Sequence, residues 1–411
     1  MKRRVVITGM GAVSPIGCGV DRMWENAGNG VCGIDYIKSF DTEGMTVKIA
    51  AEASDFDPSS IMDKMQARRT ARFTQFALAA AKEAFTQSGL DMSAEDPSRF
   101  GVNLSSGIGG LPVIEAEHEK GMKRGFDRVS PLFVPMAITN MAAGMVAIEY
   151  GFKGSCECIV TACASGTNAI GEAFRKIRDG YLDCCMTGGS ESCISPLGIG
   201  GFTSMKALTE AEDPKRASIP FDAERSGFVM GEGAGVLILE EYEHAKARGA
   251  DILAEVVGYG DSCDANHMTA PLEDGSGAAL CMKNALADGG IAPEDIGYIN
   301  AHGTSTPMND RCETAAVKLA FGDHAYKLMM SSTKSMTGHL LGASGGVEAI
   351  LTVMALKDGF VPPTAGYEKP DPDCDLDIVP NKGRKADIEY AMSNSLGFGG
   401  HNASVVFRRY E

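Results

Sequence analysis

Cys163 stands in the stretch VTACASGTNAIG, residues 160–171, where an apolar run gives way to a helical pattern. A free cysteine is most often a small buried hydrophobe, and the other eleven cysteines take that reading. Cys163 differs because a strand-to-helix turn offers unpaired backbone N–H groups and a helix dipole, which favour the thiolate over the thiol. The small neighbours Ala162, Ala164, Ser165 and Gly166 leave room for a substrate carbonyl, with backbone N–H groups as an oxyanion hole.

Two of the seven histidines fall in glycine-flanked segments that each follow an expected strand: His302 in NAHGTSTP (300–307) and His339 in SSTKSMTGHLLGASGG (331–346). A lone histidine is usually structural. Here His302, His339 and Lys334 all lie past strand ends, where α/β sheets gather ligands. A cysteine with two histidines and a lysine suits thioester chemistry, with neutral imidazoles polarising a carbonyl and the cation biasing the field. The segment SNSLGFGGHNA (393–403) sets glycines around Phe398, as a plain turn or as a loop bringing backbone N–H groups to a reacting centre.

Other motifs are weaker. Gly9-Met-Gly11 lacks the third glycine of a dinucleotide fingerprint, since Ser14 holds that place, and no phosphate-binding P-loop occurs. GASGG (342–346) fits the hydrolase elbow G-x-S-x-G, with Asp371 and His401 following in triad order, but no strand precedes Ser344 directly. A serine hydrolase is thus the lesser alternative. Zinc is disfavoured by the lack of C-x-x-C and H-E-x-x-H spacings.

The elements that must position these residues alternate between short apolar strands and amphipathic helices, which indicates α/β architecture with buried sheets. Strands are expected at 5–9, 156–160, 236–240, 298–301, 328–332 and 404–407. Helices are expected at 165–179, ending at Gly180; near 73–88, closing at Gly89; and near 276–288, closing at Gly289. Strand, small polar turn and glycine-rich helix at 156–177 are echoed at 328–356, which hints at duplication.

At 411 residues the chain can form one large domain or two joined ones. A net charge of −16 argues against sequence-independent nucleic-acid binding. A chain of this size needs no disulfide staples, so its twelve cysteines read as free thiols in a reducing cytoplasm. The start MKRRVVITGMG superficially resembles a secretory signal, yet its short apolar run is broken by glycines and suits a strand; with no stretch long enough to span a membrane, an intracellular protein is expected.

Together TACASG, NAHGTSTP, SSTKSMTGHLLGASGG and SNSLGFGG resemble the β-ketoacyl-acyl carrier protein synthases, specifically the elongating type II enzymes. The similarity runs from residue 3 to the C-terminal strand. It implies a thiolase-like fold, with two related halves, 1–255 and 256–411, stacked as five αβαβα layers in a homodimer. It also implies a decarboxylative Claisen condensation without a cofactor, the substrates arriving on the phosphopantetheine arm of acyl carrier protein.

The resemblance makes Cys163 the nucleophile, places His302 and His339 on the malonyl thioester carbonyl, and has Lys334 hold their geometry. The N–H groups of Cys163 and Phe398 become the oxyanion hole and the Phe398 ring a gate, with Gly399 beside it as a substrate-binding residue. Glu313 supports the lysine region. Thr269, Thr304 and Thr306 contact the phosphopantetheine, and Ile108 lines the acyl tunnel. Some family members carry Phe where this chain has Leu396, so gate stiffness and chain-length preference stay open. Because carrier proteins of this family are acidic, the basic stretch KMQARRTAR points to Arg68 and Arg69 as a docking patch, joined by Lys206. Lys64, Arg72, Lys123, Arg124 and Arg128 are further candidates. A non-catalytic chain-length factor would lack the nucleophile, whereas a discrete polyketide ketosynthase would share all four motifs.

Overall fold

The computed structural model describes residues 2–411. Ten strands follow one another across a single sheet: β1 (Val5–Ser14), β2 (Phe100–Ser105), β3 (Cys156–Glu157), β4 (Cys184–Glu191), β5 (Gly233–Glu241), β6 (Ala254–Cys263), β7 (Ile296–Asn300), β8 (Met329–Ser331), β9 (Tyr390–Gly397) and β10 (His401–Arg409). From the centre outward the first five lie in the order β1-β5-β4-β2-β3 and the second five in the order β6-β10-β9-β7-β8. Each half steps from antiparallel to parallel pairing at the same place. The repetition suspected from 156–177 and 328–356 is therefore carried by the whole topology. The halves join where Val5–Ile7 pair with Ala254–Val256, so a division at 255/256 falls within the start of β6.

Helices make the remaining layers. α1 (Arg72–Ser88) and α2 (Met141–Tyr150) cover one outer face, where Phe73, Phe76, Ala80 and Ala84 recur at helical spacing and pack on β2, β4 and β5 residues. α3 (Ser165–Arg178) and α6 (Ser344–Asp358) fill the middle, with Ile170, Phe174 and Ile177 sharing a core with Ile350, Val353 and Leu356. α4 (Ser276–Gly289) and α5 (Pro307–Phe321) cover the other outer face through Met282, Leu286 and Val317. This is the five-layered thiolase-like arrangement. Every residue of α6 from Ser344 to Leu356 is buried, as a helix enclosed on all sides requires.

Several expected boundaries shift. The apolar run 156–160 pairs only at Cys156–Glu157, because the chain must leave the sheet edge to reach the Cys163 turn. α4 runs through Gly289 and is closed instead by Gly290 in the left-handed region. Gly9 and Gly11 serve close packing rather than phosphate binding: a Cβ on either would fall 2.1 or 2.0 Å from a carbonyl oxygen of α1, Ala84 or Ala80. β2, β4, β6 and β9 escaped the sequence reading because glycine and polar residues interrupt their apolar pattern.

Candidate active site

Cys163, His302, His339, Phe398, Thr269, Thr304, Thr306 and Lys206 line one cavity of about 370 Å³ between the two halves. Two related turns aim into this region. Ala162–Ala164 forms a 3-10 turn that opens α3, and Leu341–Ala343 forms a 3-10 turn that opens α6. Both turns start on a non-glycine residue with positive φ, 51° at Ala162 and 49° at Leu341. Strain of this kind persists only where the surroundings enforce it, and it gathers at functional sites. Cys163 and Gly342 occupy matching places in the two turns.

The thiol does not behave as its position at a helix start suggests. Burial pushes Cys163 up to about 12, against the opposing pull of the Lys334 ammonium and the backbone N–H groups of Phe398 and Cys163 itself. Desolvation of the charged form exceeds the stabilisation from the N–H groups and the cation, so the resting side chain is a neutral thiol.

Two imidazoles face the cavity with ring centroids 5.2 Å apart and planes at 87°. Burial holds both His302 and His339 well below the ordinary histidine value, and the nearby Lys334 charge adds to the effect. Both are neutral at pH 7 and so each keeps one N–H to donate. His339 Nδ1 is hydrogen-bonded to Ser344 Oγ at 2.9 Å, whereas His302 Nδ1 has no partner among the described residues. The His339 ring also packs against Phe228, whose neighbour Phe202 lies 6.3 Å from the Phe398 ring.

Two buried carboxyls lie beside Lys334. Glu313 accepts backbone N–H bonds from His302 at 2.8 Å and Gly303 at 2.7 Å, and burial raises it to about 7. It braces the histidine backbone. The ion-pair partner of the buried Lys334 is Glu348, on the inward side of α6. Glu348 was missed because it lies 14 residues from Lys334 in a helix whose role only packing reveals. Burial raises its carboxyl against the pull of Lys334.

The serine hydrolase arrangement does not assemble. Ser344 is a buried first residue of α6 bonded to His339, Asp371 pairs with Arg225, and His401 opens β10. No strand delivers the serine to a surface.

Among the remaining expected residues, Thr304 and Thr306 hydroxyls bond each other at 3.0 Å on the cavity wall, and Gly399 donates its N–H to Met268 O at 2.8 Å. Ile108 does not line the cavity but packs in the apolar cluster that contains Cys163. Arg68 and Arg69 are exposed at the end of the short helix Lys64–Ala67, and exposed Lys206 reaches the cavity rim. Arg72 is committed to Glu232, and Lys123 to Glu119. Among the described residues no cluster of three His, Cys, Asp or Glu could hold a metal ion.

A strained cysteine turn, two facing imidazoles and a lysine at the junction of duplicated halves define a thiolase-like condensing site. The family Beta-ketoacyl synthase, N-terminal domain, matches residues 2–245, and Beta-ketoacyl synthase, C-terminal domain, matches residues 253–368. The 3-oxoacyl-[acyl-carrier-protein] synthase 2 of Staphylococcus aureus (strain COL) is 53% identical over 409 residues, 100% of this chain and 99% of that protein. The protein of the same name from Synechocystis sp. is 49% identical over 411 residues, again with 100% and 99% coverage. A solved ketosynthase, bound to a hexaketide and in complex with its type II PKS acyl-carrier protein, superposes with a TM-score of 0.92 at 37% identity, covering 100% of both chains. A β-ketoacyl synthase from Burkholderia phymatum STM815 gives 0.92 at 35% identity, also with full coverage. The chain belongs to the β-ketoacyl synthase family.

Proposed function

We propose that this chain is an elongating 3-oxoacyl-[acyl-carrier-protein] synthase of type II fatty acid biosynthesis. The observation that carries the reading is the convergence on one cavity of the Cys163 thiol, the backbone N–H groups beside it and two neutral imidazoles. Cys163 attacks an acyl thioester on the carrier's phosphopantetheine; the oxyanion sits on the N–H groups of Cys163 and Phe398. Collapse breaks the carrier's C–S bond, and the proton lost by Cys163 leaves with the carrier thiol. Because the resting thiol is neutral, proton loss accompanies attack.

Malonyl thioester then enters along the wall bearing Thr269, Thr304 and Thr306. His302 and His339 donate to its carbonyl oxygen, so the electron pair freed by loss of carbon dioxide is held as an enolate. The enolate carbon attacks the acyl-cysteine, Cys163 sulfur leaves and regains a proton, and a carrier-bound 3-oxoacyl chain two carbons longer departs. Burial keeps both histidines neutral, and the charge of Lys334, fixed by Glu348, adds to that effect. The Phe398 ring gates the acyl pocket, and Gly399 next to it contacts substrate. Ile108, outside the cavity wall, bounds the acyl chain through the apolar cluster it shares with Cys163. Substrates bring the only prosthetic group needed.

Acyl carrier protein docks on Arg68, Arg69 and Lys206. A homodimer is supported by the exposed edge strand β3, flanked in the chain by exposed apolar Val134, Ile138, Ile148 and Val160. All twelve thiols are free and no described helix is long and apolar enough to cross a membrane, which supports a cytoplasmic site of action. The chain divides into halves 1–255 and 256–411, carrying the nucleophile and the histidines respectively.

Intact-mass measurement after incubation with long-chain acyl-carrier protein tests the reading. A single acyl adduct on Cys163, absent from Cys163→Ser, is expected. An adduct elsewhere, or none on the native chain, overturns it.

A further inference from the structure

The duplicated topology places β4 and β9 at matching positions, and each strand ends against the turn of the opposite half. β9 ends in Gly397, where even a Cβ would fall 2.6 Å from Thr161 O and 3.3 Å from Cys163 N. The absence of a side chain leaves the Cys163 N–H open to a substrate oxyanion. β4 ends in Glu191, whose carboxylate accepts the Gly342 N–H at 3.0 Å, and Gly342 is the counterpart of Cys163. The same fully buried carboxylate also accepts from Gly107 N–H at 2.7 Å, Ser106 Oγ–H at 2.8 Å and Ile108 N–H at 3.3 Å, with the Cys193 thiol at 3.3 Å. Burial raises the Glu191 carboxyl above the usual carboxylate range, and the donations from Ser106, Gly107, Gly342 and Cys193 oppose that shift, so the lining favours an anion in a place that desolvation would otherwise deny it.

We propose that Glu191 is the built-in occupant of a second, duplicated anion hole. By filling it, Glu191 acts as a positioning residue that ties the His339–Ser344 turn to the Ile108 loop for the condensation step. One elbow is left open for chemistry while its twin is closed by an internal carboxylate. The twin then serves as a brace, since Gly342 lies three residues past His339 and two before Ser344. The proposal rests on the reading of the Cys163 and Phe398 N–H groups as the oxyanion hole.

Replacing Glu191 by glycine would copy the Gly397 side of the repeat and empty the second hole. In Glu191→Gly, acylation of Cys163 is expected to stay within about threefold of the native rate, while malonyl decarboxylation falls about tenfold or more. Added formate should restore decarboxylation saturably, and chloride at equal ionic strength should not. Ser106→Ala, which removes one donor and keeps the carboxylate, should slow the same step by a smaller factor and alter the acyl chain-length profile. Should Glu191→Gly fail to fold, Ser106→Ala decides alone, and native partitioning between the two half-reactions overturns the proposal. Native partitioning in a folded Glu191→Gly, or an equal loss of both half-reactions without formate rescue, overturns it as well. If Cys163 in the native chain takes no acyl group, the functional reading falls and this proposal falls with it; native-like variants beside an acylated native enzyme remove only the proposal.

Discussion

The imidazoles of His302 and His339 meet edge to face at 5.2 Å, yet only His339 has its Nδ1 engaged, by Ser344 Oγ. An Nδ1 that accepts the serine hydroxyl leaves Nε2–H as the donor to substrate. With Ser344 as the donor the His339 tautomer is set for catalysis, while no described residue engages Nδ1 of His302.

Replacing either histidine by alanine should therefore cut malonyl decarboxylation by about 10²–10³, the usual loss for one oxyanion donor. Acyl transfer to Cys163 should persist. Carbon dioxide release measured beside intact mass separates the two steps, and equal loss of both would contradict the assignment. Both histidines sit below their unfolded value of 6.5, so their contribution to stability is complete above that pH. It is lost as pH falls below 6.5, where the unfolded chain binds protons that the buried rings refuse. Unfolding monitored from pH 7 to pH 5 should show this decline.

Cys163 should titrate as a buried thiol. With its value pushed up to about 12, alkylation of the resting enzyme by iodoacetamide should keep rising through pH 10. A plateau near pH 7 would indicate a preformed thiolate and contradict attack coupled to proton loss.

Lys334 and Glu348 form a buried pair with side-chain exposures of 1% and 3%. Removing either partner alone leaves an uncompensated charge and should cost about 3–5 kcal/mol of stability. Lys334→Met with Glu348→Met should recover much of that loss in thermal unfolding while leaving condensation impaired. Full recovery of activity would deny Lys334 any role in the field around the histidines.

Arg68→Glu with Arg69→Glu should raise KM for carrier-bound substrate and flatten its salt dependence, with kcat little changed. Steady-state kinetics from low to high ionic strength provide the measurement. Unchanged KM and slope would place docking elsewhere.

Residue order alone carried a great deal. Cys163, His302, Lys334 and His339 could be singled out as candidates because each sits in a small-residue segment past a strand end, a local feature that side-chain size and turn chemistry impose. The α1 stripe and its Gly89 stop were legible because helical periodicity is local as well. What the sequence could not reveal depends on distant partners. The state of the Cys163 thiol turned on desolvation by layers contributed from both halves, which outweighs the N–H groups of its own turn. Glu348 and Glu191 looked like ordinary charged residues until α6 and β4 were placed, since a carboxylate's role is set by the donors packed around it. Glu313 lies beside the Lys334–Glu348 pair, but its hydrogen bonds go to the His302 and Gly303 backbone, a detail that packing alone reveals. Local pattern determined which residues could react; tertiary packing, by excluding water and matching charges across the duplicated halves, decided their protonation and their partners.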